Sequence, residues 1–184
     1  MRERYNVKHR GTAIICGSAP CVFEDLEKAL DLRPEAYLVG VNNAGVMIPE
    51  IRHVWTQHNN LAEQYKAKAQ VKVHGRANIM GDKTDYIWPS LNWVCGSSGV
   101  AGALWAKHGM GFDEVIMAGI PLSMGNLAYS EKYPSEYTKP DGFATDNQVE
   151  HWLSHLRTFH SQDKTAGIFS MSGATAGILG RPDA

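Results

Sequence analysis

No run of apolar residues approaches the roughly 20 that a membrane-crossing helix needs, and no hydrophobic signal core follows the charged start MRERYNVKHR. A membrane partner and a secretory route are therefore not expected. Cysteine is scarce: Cys16, Cys21 and Cys95 make an odd count with no CxxC pair. That excludes a disulfide framework and favours a reducing, cytoplasmic setting. Cys16 lies in an apolar run and reads as a reduced core thiol. Neither sign of charge dominates, with 18 Lys and Arg against 19 Asp and Glu, a net charge of −1. General nucleic-acid binding is not expected. The eight histidines form no HExxH and no zinc-spaced cluster with cysteine, so a metal-independent protein with no cofactor is expected. The lysine-bearing phosphate loop and GxGxxG are both missing, which argues against hydrolysis of ATP or GTP by that route.

What is present is a regular alternation of strands and helices. TAIICG (Thr12–Gly17), AYLVGVN (Ala36–Asn42), HVWTQH (His53–His58), VKVHG (Val71–Gly75), EVIMA (Glu114–Ala118) and GIFSMSG (167–173) read as strands. Between them, Val22–Leu32, Asn60–Ala69 and Ser97–His108 have helical spacing. A late amphipathic helix follows, with Asp146 as its cap and Val149, Trp152, Leu153, Leu156 and Phe159 on one side. ATAGILG forms a closing turn of helix. The stretch ANIMGDKTDYIWPSLNWV reads as irregular, and residues 123–145 as a long loop bearing Tyr129, Tyr133 and Tyr137. The pattern predicts one doubly wound α/β domain, a mostly parallel Rossmann-like sheet with helices on both faces. Residues 1–11 are a basic arm, read either as a solvated terminus or as a docking segment.

In such sheets ligands bind beyond the carboxyl ends of the strands. The residues there are rich in Gly, Ser and Asn: Gly17, Ser18, Asn42, Asn43, His58, Gly96–Gly99 and Gly119–Ser123. Each has two readings. The Gly17–Pro20 turn is a tight strand–helix connection or a phosphate-binding turn. Asn42 and Asn43 are turn formers, or amides that read a base edge or a ribose hydroxyl. Ser97 and Ser98 cap a helix or hold an anion at its start. Gly99, Gly102, Ala103 and Ala106 form a small-residue face that close packing on a sheet explains. His58 is a packed or capping residue, or a general base or phosphate contact. Trp55 reads as core. Tyr129, Tyr133 and Tyr137 pin their loop down or bond a phosphate. His151, His155 and His160 read as solvated helix residues rather than a metal site, since His151 and His155 share a face but have no third ligand.

The stretch GSSGVAGALWAKHGMGFDEVIMAGIPLS (96–123) resembles the signature of a bacterial sialyltransferase family: Ser-Gly-Val, a small-residue helix, a turn, an apolar strand, then Gly-Ile-Asp. GSAPC (Gly17–Cys21) stands where that family has Gly-Asn-Gly-Pro-Ser, a loop shared by a related pterin diphosphokinase-like group. Asn42 matches the family's strand-end Asn, and IFSMSGATAGILG is similar in position to its closing strand and Ser-rich turn. Small phage-encoded proteins look similar over nearly the whole length. The resemblance implies a CMP-linked sugar as ligand, with Gly17, Ser18, Asn42, Ser97, Ser98 and Gly99 on the nucleotide and Tyr129 or Tyr133 on the donor phosphate. The pattern departs at three places. GFATDNQ carries no histidine where the family has its catalytic one, Gly40 replaces an Arg, and Pro121 replaces an Asp.

Two expectations follow. The first is a nucleotide or nucleotide-sugar binding protein, glycosyltransferase-like, with His58 as base and Tyr129 or Tyr133 stabilising the leaving phosphate. The second is a non-catalytic phage accessory or virion protein that kept the fold and lost the reaction, a homo-oligomer or a partner of other phage structural proteins. The location would then be host cytoplasm or virion. A nucleotide hydrolase of the lysine-decarboxylase-like type lacks its PGGxGT loop here.

Overall fold

Strand β1 (Thr12–Cys16) shows how the chain layers itself. Ala13 and Ile15 face one way, Ile14 and Cys16 the other, and all four are fully buried. A strand covered on both faces reads as an unbroken apolar run, as parallel strands under helices do. The computed structural model describes residues 5–69, 71–76, 83–88, 96–123, 130–132 and 144–183.

Six further strands join β1: β2 (Tyr37–Val41), β3 (His53–Trp55), β4 (Lys72–Arg76), β5 (Tyr86–Trp88), β6 (Glu114–Ala118) and β7 (Ile168–Ser170). All neighbours are parallel, in the order β5-β4-β3-β2-β1-β6-β7. Helices α1 (Val22–Leu32), α2 (Ala44–Met47) and α3 (Asn59–Ala69) lie on one face, over Ile14, Cys16, Val54, Val73, Ile116 and Ala118. Helices α4 (Ser98–Leu104), α5 (Asp146–Ser161) and α6 (Gly173–Leu179) lie on the other, over Ala13, Ile15, Val39, Val41 and Met117. This is the doubly wound α/β fold that the alternation predicts.

Several details differ from the expectations. The supposedly irregular stretch contains β5, whose three residues are only half-buried and too short to show a period. Strand β3 stops at Trp55, and the Thr56 hydroxyl accepts the His58 N–H as the chain turns towards α3. Helix α4 runs on through a π-helical turn (Trp105–Met110), ended by Gly111 at φ 87°. The cap of α5 is Thr145, not Asp146. Its hydroxyl accepts the Gln148 N–H while Gln148 Oε1 accepts the Thr145 N–H, a reciprocal capping box.

The arm is not a wholly solvated terminus. Its Tyr5 and His9 fold back over the amino ends of the strands, where Tyr37, His53, His74, Tyr86 and Phe112 form a cluster of rings. Tyr5 Oη bonds His9 Nε2 at 2.7 Å, and His53 Nδ1 bonds His74 Nε2 at 2.8 Å. The His9 N–H donates to the Met110 carbonyl, tying the arm to the π turn.

Candidate functional site

The chain leaves β1 in both directions. Strands β2 to β5 build outward on one side, and β6 and β7 on the other. At that reversal the connections after β1 and β6 diverge to opposite faces and leave a crevice beyond the carboxyl ends. A cavity of about 510 Å³ lies there. Ser18, Asn42, Asn43, Ser97, Ser98, Gln148 and His58 supply its polar lining; Val41, Leu61, Ile120, Pro121, Leu122 and Trp152 supply apolar surface. A volume of this size and mixed chemistry suits a small organic ligand.

Buried polar contacts hold its walls. The residues after β6 form one wall. Asp25 accepts the Gly119 N–H at 2.9 Å, and Thr175 Oγ1 donates to the Ile120 carbonyl at 2.8 Å. Leu122 adopts φ 45° and Asn42 φ 51°. Non-glycine residues held in this region concentrate at functional sites, and two of the three that the described residues contain line this cavity. Across the cavity, Thr56 Oγ1 donates to Asn42 Oδ1 at 2.8 Å and Tyr65 Oη donates to Asn43 Oδ1 at 3.0 Å.

Seven residues expected on a nucleotide (Gly17, Ser18, Asn42, Asn43, Ser97, Ser98, Gly99) and the expected base His58 all line this one cavity. Their local roles differ. A Cβ on Gly17 would collide with the Gly119 carbonyl oxygen and Ile120, and one on Gly99 would come within 2.5 Å of Ile120 Cγ2. These two glycines are small because protein packs on them. Ser97 is buried and caps α4 by accepting the Val100 N–H at 3.4 Å. Ser18, Ser98 and Asn42 remain as polar groups lining the cavity. His58 is exposed, with its backbone N–H on Thr56 Oγ1 at 3.0 Å. Tyr129 and Tyr133, the expected phosphate contacts, lie outside the described residues, as does Tyr137.

Sequence reasoning missed Gln148 and Trp152. Trp152 belongs to the apolar side of α5, yet it is half-buried because it borders the cavity, with its indole against Gly96. The spacing of four from Gln148 to Trp152 near a helix start was the available signal. His151 and His155 share a face of α5 with ring centroids 4.2 Å apart. Among the described residues no group of three or more His, Cys, Asp or Glu is arranged to hold a metal, and no helix is long and apolar enough to cross a membrane.

The two described thiols are free. Complete burial pushes Cys16 up to about 12, which leaves it inert. Cys21, half-buried beside Ser172, is also raised, chiefly by burial. No family model matches the chain, and neither the curated proteins nor the solved structures give a match.

Proposed function

We propose that the chain binds a nucleotide or nucleotide-sugar in the cavity at the strand reversal. One observation carries the reading: the residues after β1, β2 and β6 and the start of α4 enclose about 510 Å³ lined by neutral hydrogen-bonding groups and apolar walls. The apolar residues suit a base and sugar ring. The hydroxyls of Ser18 and Ser98 and the Asn42 carboxamide suit phosphate or base oxygens. Glycosyl transfer from a CMP-linked sugar, without a metal, is the reaction that the family resemblance supports. In it Ser98 and neighbouring backbone N–H groups would receive the phosphate, and His58 would take the acceptor proton.

The test is a thermal-shift series with CMP, UMP, GDP and their sugar conjugates. Stabilisation by one of them, reduced in Ser98→Ala and Asn42→Ala, is the expected result. No response to any of them removes the reading.

A second reading, a binding module without a reaction, has one observation in its favour. Among the described residues lining the cavity, His58 is the only titratable side chain, and it is exposed. Turnover of a bound nucleotide-sugar that survives in wild type and is lost in His58→Ala would set this second reading aside.

A further inference from the structure

Asn42, directly after β2, lies in the left-handed region, at φ 51°. Its carboxamide reaches Thr56, which is fully buried. Thr56 Oγ1 receives the His58 backbone N–H at 3.0 Å. A backbone N–H only donates, so that bond occupies a lone pair and leaves the hydroxyl proton to be placed. The acceptor within reach is Asn42 Oδ1, at 2.8 Å. Reversing the carboxamide would put an N–H₂ group against Thr56 and strand the buried hydroxyl proton without an acceptor among the described residues. Leaving a buried donor without an acceptor costs more than the bond itself contributes, which decides the orientation.

From this we infer that Thr56 is a positioning residue that makes Asn42 a pure donor towards the cavity. The inference rests on the nucleotide-binding reading of that cavity. The chain of bonds runs His58 N–H to Thr56, Thr56 O–H to Asn42, and Asn42 Nδ2–H₂ onward to the ligand. The ligand atom that meets Asn42 is therefore an acceptor, best an oxygen or nitrogen that carries no proton of its own. A phosphate oxygen and a pyrimidine carbonyl share that chemistry; a ribose hydroxyl can also accept, but it wastes its own proton there.

The test is isothermal titration of the full chain with CMP, cytidine and inorganic phosphate, on four variants. Thr56→Val keeps the shape and removes the hydroxyl, and it is expected to weaken CMP binding about tenfold or more. Thr56→Ser restores the hydroxyl and is expected to bind within a few-fold of wild type. A role in packing alone would not give this rescue, because Ser loses the methyl that Val keeps. Asn42→Asp retains the bond from Thr56 but presents an acceptor to the ligand. It is expected to lose binding at least as fully as Asn42→Ala. The Thr56→Val penalty persists with cytidine if the oxygen is the base carbonyl, and with phosphate if it is the phosphate oxygen. Thr56→Val or Asn42→Asp binding CMP like wild type overturns the inference while leaving the binding site standing. If UMP or GDP binds in place of CMP, the same variants are read with that nucleotide; wild type binding none of these probes overturns the reading of the cavity, and the donor role with it.

Discussion

The buried carboxylate of Asp25, on the first turn of α1, accepts the backbone N–H of Gly119 at 2.9 Å across 94 residues of sequence. The same oxygen accepts the Ser172 hydroxyl at 2.6 Å. One side chain thereby holds the turn after β6 and the turn after β7 against the start of α1. Asp25→Ala strands both donors and should cost about 3 kcal/mol, while Asp25→Asn, which keeps an acceptor, should cost less. Urea unfolding measures the difference. Because Gly119 lines the cavity, ligand affinity should fall with Asp25→Ala as well.

Stability should decline as pH falls from about 6.5 towards 4. Burial lowers His53 to about 4 and holds His74 well below its ordinary value of 6.5, and each is lowered further by neighbouring histidines. Lys72 also lowers His53, and Asp85 opposes it. A depressed folded value means that the unfolded chain binds the extra protons, so stability is present above 6.5 and lost on acidification. The slope is at most about 1.4 kcal/mol per pH unit for each histidine. Tyr5 and His9 lie against these rings, so the arm should loosen in the same range. Chemical unfolding at several pH values tests the slope, and His53→Gln should flatten it. Glu114 acts lower: burial raises it, but the bonds from Arg33 and Thr12 together with the Arg33 and Lys107 charges outweigh that and hold it below 4.5, so its contribution fades only beneath that value.

Two glycines should respond oppositely to alanine. At Gly17 the added methyl meets the Gly119 carbonyl and Ile120, so Gly17→Ala should destabilise by about 1–3 kcal/mol. At Gly177, exposed inside α6 with nothing within 4 Å of the new carbon, Gly177→Ala should stabilise by about 0.5–1 kcal/mol. Thermal unfolding of the pair checks both signs.

Trp152 should report ligand entry. Its indole borders the cavity beside Gly96. Tryptophan fluorescence should change on titration with the nucleotide that stabilises the protein, and Trp152→Phe should remove most of the change while leaving the unfolding midpoint within about 1–2 °C.

The central strands were legible because β1, β2 and β6 run apolar after their first residue and are followed by Gly or Asn, the pattern of strands buried on both faces. Strand β5 was not legible. Tyr86, Ile87 and Trp88 are too few to carry a period, and the edge position leaves them half-buried. The four-residue helix α2 fell below any periodic signal for the same reason. The site was legible where residues directly follow a strand, as at Ser18 and Asn42. Trp152 and Gln148 were not, since they enter from a helix distant in sequence. Nor was the ring cluster, because Tyr37, His53 and Tyr86 each open a different strand and only the sheet register brings them together.

The position of β1 has a consequence for synthesis on the ribosome. It gains one neighbour early, when β2 emerges. Its other neighbour is β6, where Glu114 lies opposite Thr12 from 102 residues further along. Until then a nascent chain carrying β1 to β5 exposes the bare edge of what becomes a central strand, with Ile14 and Ile15 on it. Such an edge is a template for pairing with other chains. Closing it is the longest-range step in forming the sheet, and it is expected to set the pace of folding.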